Sequence, residues 1–377
     1  MAKAYSRSMH PPRLDWSRLK VFPLSERKSL SSADDILRSP DSDPPPCSED
    51  QIRQVRSCAS AILSARQQGA GVILMYGAHL LRNGAALILT RMMERGWLTH
   101  LATNGAGTIH DWEYAWLGRS TESVRLNVAT GTFGTWNETS LNTHMALLAG
   151  GLKGEGYGTA LGRYIAEDGA TLPAPAVLED LIRSAPTDPL TSARADLLRI
   201  MRTHNLPSGR IPAHHAWKHA SILAQAFLQD VPLTVHPGIG YDIIANHPIY
   251  DGGVIGRAAT MDFRLLGDSV NTLDNGVVLS IGSAIMAPQV FEKSLSAVNN
   301  LRLGSGQATV TGLTIDVVDI QDGGGWDWTQ GEPPKTNPAY YLRFCKSFSR
   351  MGGAMHYVQC DNVTFLHNLF HELNGCV

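Results

Sequence analysis

Gly71-Val72-Ile73-Leu74-Met75-Tyr76, followed after a helical stretch by Trp97-Leu98-Thr99-His100-Leu101-Ala102-Thr103 and then Asn104-Gly105-Ala106-Gly107, is the passage that decides the fold. The first run reads as a short buried strand. Asn83 to Arg95 reads as a helix, the second run as another strand, and the glycines as a turn into a helix starting near Thr108. Strand, helix, strand, glycine loop and helix in close succession is the pattern of a parallel sheet covered by crossover helices.

Upstream, apolar residues recur at helical spacing from Ser48 to Gln68 (Ile52, Val55, Cys58, Ile62, Leu63). Before that, Pro11-Pro12, Pro23 and the proline cluster from Pro40 to Pro46 leave no room for a helix, so residues 1–47 read as an irregular N-terminal arm. Downstream, Thr132 to Pro212 is mostly helical with glycine and proline interruptions, including a helix over Asp188 to His204. Alternation then resumes. Helices are expected over His214–Leu228, Asp262–Leu273, Gln289–Asn300 and Val363–Leu373. Strands are expected at Leu233–Val235, Gly276–Ile281, Ala308–Val318 (one or two) and Ala354–Val358. The expected architecture is one α/β domain, residues 48–377, with a doubly wound, mostly parallel, Rossmann-like sheet.

With 377 residues, 43% hydrophobic and 18% charged, the chain is long enough for a sizeable core. A formal net charge of -2 gives no footprint for nucleic acid or an anionic membrane, which leaves a small molecule as the expected partner. Five cysteines without CxxC spacing argue against a disulfide framework or zinc ribbon. No apolar run resembles a secretory signal or reaches membrane-spanning length, so a cytoplasmic location is expected.

In open parallel sheets ligands bind beyond the carboxyl ends of the strands, which makes the loops after each strand the candidate sites. These are Gly77-Ala78-His79-Leu80-Leu81-Arg82-Asn83-Gly84 and Asn104-Gly105-Ala106-Gly107-Thr108-Ile109-His110-Asp111, neither of them GxGxxG. His110 and Asp111 fall in the first turn of the helix after the second loop, where Asp111 could hold a ligand ammonium or simply complement the helix dipole. His236, Asp242, His247 and Asp251 follow another strand, but their spacing matches no strong ligand pattern and no metal is expected. Asp322, Trp326 and Trp328 could cover a cationic substrate, or anchor an ordinary long loop. The run Gly154-Glu155-Gly156-Tyr157-Gly158 before a helix is a phosphate-loop candidate without the Lys-Ser/Thr ending. Lys346, among Tyr340, Tyr341, Phe344 and Phe348, is a candidate nucleophile, since a lysine in apolar surroundings can lose its proton and attack a carbonyl or imine.

Taken in order, these loops resemble those of the deoxyhypusine synthase family, NAD-dependent enzymes that move an aminobutyl group from spermidine to a protein lysine. The resemblance runs from about Gly71 to about Leu373, except for much of the middle. It implies NAD as cofactor, held by Ala78, His79, Asn83, Thr103, Asn104, Gly105, Ala106, Asp242 and Asp361. Substrate contacts are expected at Asp111, Asp322, Trp326 and Trp328 from their own positions after strands. Catalytic roles fall to Lys346 as the imine-forming lysine and to His110 and His247, which replace family acids. A homo-oligomer, dimer or tetramer, follows from the same resemblance. The departures count against a true deoxyhypusine synthase: the family's polyamine glutamate is His110, and its histidine-bearing glycine motif is Ile281 to Gln289, with no histidine. The expected activity is therefore transfer of an amine-type small molecule through a Lys346 imine. The alternatives are an NAD-dependent oxidoreductase or lyase using histidine acid–base chemistry, and a non-catalytic nucleotide-binding or regulatory scaffold.

Overall fold

A computed structural model of the chain describes residues 14–376, so Pro11-Pro12 lie outside it. Six strands build the central sheet: β1 (Val72–Tyr76), β2 (His100–Thr103), β3 (Leu233–Val235), β4 (Val277–Ile281), β5 (Thr314–Asp319) and β6 (Ala354–Gln359). Every pairing is parallel, and the spatial order is β6-β5-β4-β1-β2-β3. The chain thus starts in the middle, winds outward to one edge, returns to the centre and winds to the other. That is the order of doubly wound dinucleotide-binding sheets, with the reversal between β1 and β4.

Period two in β1 shows how both faces are buried. Val72, Leu74 and Tyr76 join one core, and Ile73 and Met75 join the other. Against the first face pack α1 (Glu49–Gln67), α2 (Ala86–Glu94), α3 (Gly105–Leu117) and the closing helix Asn362–Gly375. The α1 helix starts at Ser48 through a reciprocal capping box with Gln51. The second face is covered by Met286–Gly304 and Arg343–Ser349 through Phe291, Phe344 and Phe348, joined by the end of Gly252–Val270.

Between β2 and β3 the chain inserts a helical layer, α4 (Asn137–Gly151), α5 (Tyr157–Ala166) and α6 (Thr191–His204), with an antiparallel ribbon of Gly169–Leu172 and Gly209–Pro212. Three boundaries move furthest from the sequence expectation, two of them for a local reason. The helix expected over His214–Leu228 covers only Ile222–Leu228, because Asp111 and Ser221 accept hydrogen bonds from its first free N–H groups and fix its start. The helix expected from Asp262 begins at Gly252, where Asp251 caps it and two glycines conceal the start. Ala308–Val318 yields one strand, beginning at Thr314.

The described part of the arm is irregular but not detached. Leu24 is fully buried in the first core, Ser31–Ser32 pair with Arg119–Ser120, and Phe22 bridges to Trp136. This course carries Arg27 to the carboxyl end of the sheet.

Candidate active site

His110 lies one turn into α3, which begins directly after β2 because Asn104 accepts a hydrogen bond from Gly107 N–H and caps the helix. Its Nδ1 is 2.7 Å from Ser120 Oγ, and that hydroxyl donates to Glu113 Oε2 at 2.5 Å. Ser120 has one proton, and the carboxylate takes it. His110 must therefore donate from Nδ1, which leaves a lone pair on Nε2. Glu113 is wholly buried and is held further by Arg27, at 2.7 Å, and by the Thr139 hydroxyl, at 2.9 Å. Burial brings the His110 imidazole down to about 4; the Glu113 carboxylate opposes this, while Arg82, Arg27 and His79 add to it. At neutral pH it is an uncharged base.

A cavity of about 330 Å³ opens beside this relay, lined by Arg27, Arg82, Ala106, His110, Tyr241 and Asp242, among others. Asp242 follows β3, and its Oδ2 accepts from Gly238 N–H at 2.8 Å while its buried Oδ1 has no partner. Burial pushes its carboxyl up to about 6. A side chain in place of Gly105 would overlap this carboxylate, so the glycine lets Asp242 sit against the start of α3. Thr121, also on the cavity wall, has φ 66°, a left-handed conformation that is costly for a β-branched residue. Arg82 also lines a second cavity of about 490 Å³ together with Asn83, Asp361, Arg38 and residues of the arm.

Of the residues singled out in the sequence, His110, Ala106 and Asp242 meet in the first cavity, and Asn83 and Asp361 in the second. Ala78 and His79 open the short helix after β1, with His79 exposed; Asn104 and Gly105 lie at the start of α3. The Thr103 hydroxyl is turned inward and donates to Tyr76 O.

Several others hold the fold together instead of facing a ligand. Asp111 is buried with its oxygens occupied by Ser221 Oγ and the N–H groups of Ile222 and Leu223, which makes it a helix cap and not a substrate contact. Burial still pushes it up to about 6. His247 accepts from Ile249 N–H at Nδ1 and donates from Nε2 to Asn137 Oδ1, so both nitrogens are occupied and none is free for acid–base work. Trp328 is buried in the second core, Trp326 donates to Gly331 O, and Asp322 closes an exposed turn on Gly324 N–H. Lys346 is on the helix Arg343–Ser349, and beside the aromatic ring that the sequence suggests stands a carboxylate that it does not suggest. Its Nζ is 2.7 Å from Glu332 Oε1 and 3.2 Å from the centre of the Tyr340 ring. No hydrogen bond, ion pair or cavity described above links it to His110. The glycine run Gly154 to Gly158 cradles the protein's own carboxylate: Asp262 accepts from Gly158 N–H and Val235 N–H. Among the described residues no group of His, Cys, Asp and Glu is arranged to hold a metal, and no helix is long and apolar enough to cross a membrane.

Sequence reasoning missed Ser120, Glu113, Arg27 and Arg82. The available signal was Glu113 itself, a second carboxylate after Asp111 and one turn from His110, set among Ile109, Trp112, Tyr114, Ala115 and Trp116.

Compared with known proteins, the chain matches no family model and no curated protein sequence. Similar solved structures include the ternary complex of AgrE with ornithine and NAD+, at 15% identity and TM-score 0.41, covering 88% of this chain and 34% of that one. Another is apo ArgZ, an arginine dihydrolase from the ornithine–ammonia cycle in cyanobacteria, at 13% and 0.40, covering 86% and 33%. A third is a conserved LOR/SDH-type protein from Methanococcus maripaludis S2, at 16% and 0.41, covering 90% and 73%. The chain spans about a third of the length of AgrE and ArgZ. None of the three is a deoxyhypusine synthase. At these identities and scores the likeness says nothing about what this chain binds.

Proposed function

We propose that the chain is an NAD-dependent enzyme that oxidises a small amine, with His110 as the base. The observation that carries this reading is the relay Arg27–Glu113–Ser120–His110, which turns an uncharged imidazole nitrogen into a cavity at the carboxyl end of a doubly wound sheet. The strand order supports a dinucleotide at the β1–β4 reversal. The residues there suit one. Gly77 and Gly282 bring the two strand ends together there, so closely that a side chain on Gly77 would overlap Gly282 O. The orphaned Oδ1 of Asp242 is a buried acceptor suited to a ribose hydroxyl. Gly77, Ala78, His79, Asn83, Asn104, Gly105, Ala106, Asp242 and Asp361 would hold the cofactor.

NAD+, when bound, supplies a hydride acceptor. In the net reaction the substrate's C–H gives up a hydride and its ammonium gives up one proton as the C=N bond forms. His110 Nε2 takes that proton, and the Ser120–Glu113 pair stabilises the imidazolium by accepting at Nδ1. Transfer through a Lys346 imine is less well supported, because that amine is occupied by Glu332 and the Tyr340 ring.

The test is to identify nucleotide released on denaturation, titrate the stripped protein with NAD+, and assay NADH formation on a panel of amines. Micromolar NAD+ binding weakened by Asp242→Ala, with NADH formation lowered about 100-fold or more by His110→Gln, is expected. Absence of NAD+ binding would overturn the reading.

A further inference from the structure

We infer that Arg27 and Arg82 form a carboxylate-binding subsite in the His110 cavity, so that the substrate is an amino acid and not a simple amine. This deepens the proposed function, resting on it only in taking that cavity as the substrate site.

Arg27 is 5% exposed and comes from the arm. Its guanidinium has three nitrogens and two are accounted for: Nη1 pairs with Glu113 at 2.7 Å, and Nε donates to Ser29 Oγ at 3.2 Å. Nη2 is buried without a hydrogen-bond partner, the guanidinium carbon lies 5.9 Å from the centre of the Trp136 ring, and Arg27 is one of the residues that line the cavity. A buried cationic donor without an acceptor is costly to leave unmade. Glu113 accepts from Arg27 Nη1, the Ser120 hydroxyl and the Thr139 hydroxyl, and takes no hydrogen bond from Nη2.

Arg82 reaches the same cavity from the helix after β1 and takes part in no hydrogen bond or ion pair among the described residues. Both arginines lie close enough to His110 to depress its proton affinity, which places two positive charges about the imidazole. A carboxylate there would take charge-assisted hydrogen bonds from two guanidinium groups, the exposed Arg82 being free to offer both donors of its fork. A ligand fixed there by its carboxylate would present its amine-bearing carbon within the same small space as Nε2. Of the two acidic groups on the wall besides Glu113, Glu122 has both oxygens occupied and Asp242 keeps Oδ1 unpartnered. Glu122 accepts from Asn127 Nδ2 and Gly134 N–H, and Asp242 from Gly238 N–H.

A phosphate of the cofactor has the same chemistry as a carboxylate, so the experiment separates the two. Isothermal titration of the NAD+-loaded protein with L-ornithine, L-arginine, L-lysine and L-alanine is compared with titration of putrescine, agmatine, cadaverine and ethylamine, their decarboxylated counterparts. At least one amino acid is expected to bind 100-fold or more tightly than its amine. Arg82→Gln, an exposed substitution, and Arg27→Lys, which keeps a charge against Glu113 but lacks the spare donor, should each weaken the amino acid 10-fold or more. Both should leave NAD+ affinity within twofold. Equal binding of acid and amine, or no amino-acid binding, would overturn the inference. So would loss of NAD+ affinity in the variants with the acid-to-amine ratio unchanged, which would assign the arginines to the cofactor. Discrimination for the acid without any NAD+ binding would leave the subsite standing and remove the redox reading. Should Arg27→Lys fail to fold, Arg82→Gln decides the matter alone.

Discussion

At the scale of single residues, the site turns on which hydrogen-bonding capacity is used and which is left over. His110 and His247 are both neutral at pH 7, each brought to about 4 with burial the largest cause. Only His110 keeps a nitrogen free. His110→Gln should therefore lower kcat by about 100-fold or more while leaving KM for the amine within a few-fold, because glutamine fills similar space but cannot take a proton. Single-turnover NADH formation measures this. The opposite expectation holds for Lys346, whose ammonium is already paired. Lys346→Met should retain turnover and lose no more than about 1 kcal/mol of stability, the usual scale for a partly exposed pair. Borohydride with substrate should leave no adduct on the wild-type protein. A mass shift at Lys346 would return the imine to the mechanism.

At the scale of elements, the glycine run Gly154 to Gly158 shows how a sequence signal can be read correctly as local chemistry and wrongly as function. Backbone N–H groups at the start of α5 do receive an anion, but it is Asp262, buried at 0% exposure and pushed up to about 7 by desolvation against its hydrogen bonds. The same carboxylate accepts from Val235 N–H, tying α5 to β3 and so to the edge from which Asp242 departs. The contact is tight enough that a methyl group on Gly158 would overlap Leu233 O, a backbone atom that cannot turn aside. Gly158→Ala should cost about 3 kcal/mol, the upper end for overpacking, seen as a lowered urea midpoint. Strands and helices of the sheet were legible because burial on both faces leaves long apolar runs. Asp111, Asp242 and Asp262 were not distinguishable from one another in sequence. What separates them is the number of backbone N–H groups that converge on each, and those come from segments far away in the chain. Arg27 was hidden for the same reason. It lies in an aperiodic arm, 86 residues from the carboxylate it holds.

For the molecule as a whole, the doubly wound order gathers the loops after β1, β2 and β3 at one end, and the arm closes over that end. Many ionisable groups, at that end and elsewhere in the core, lie away from water, and they shape the pH response. His100 is brought to about 3, and His110, His144, His215, His236 and His247 to about 4, with burial the largest cause in every case. A histidine with a depressed folded value adds stability above its ordinary value near 6.5 and loses it as pH falls toward the folded value, since the unfolded chain binds the proton more readily. Asp111, Asp242 and Asp262 act the other way. Raised to about 6, 6 and 7, they bind protons in the folded state and lose stabilising effect as pH rises from about 4 to 7. Six histidines outnumber three aspartates, and the lowered His204 and His367 add to them while the raised His356 opposes them, so acidification between pH 6.5 and 4 favours unfolding. Each proton corresponds to about 1.4 kcal/mol per pH unit at full effect, so acid should unfold the chain well before its surface carboxylates titrate. Urea melts at pH 7.5 and 5.0 should show a markedly lower midpoint at pH 5.0. An unchanged or higher midpoint there would mean that these histidines are not buried uncharged, and the neutral imidazole assigned to His110 would lose its physical basis with them.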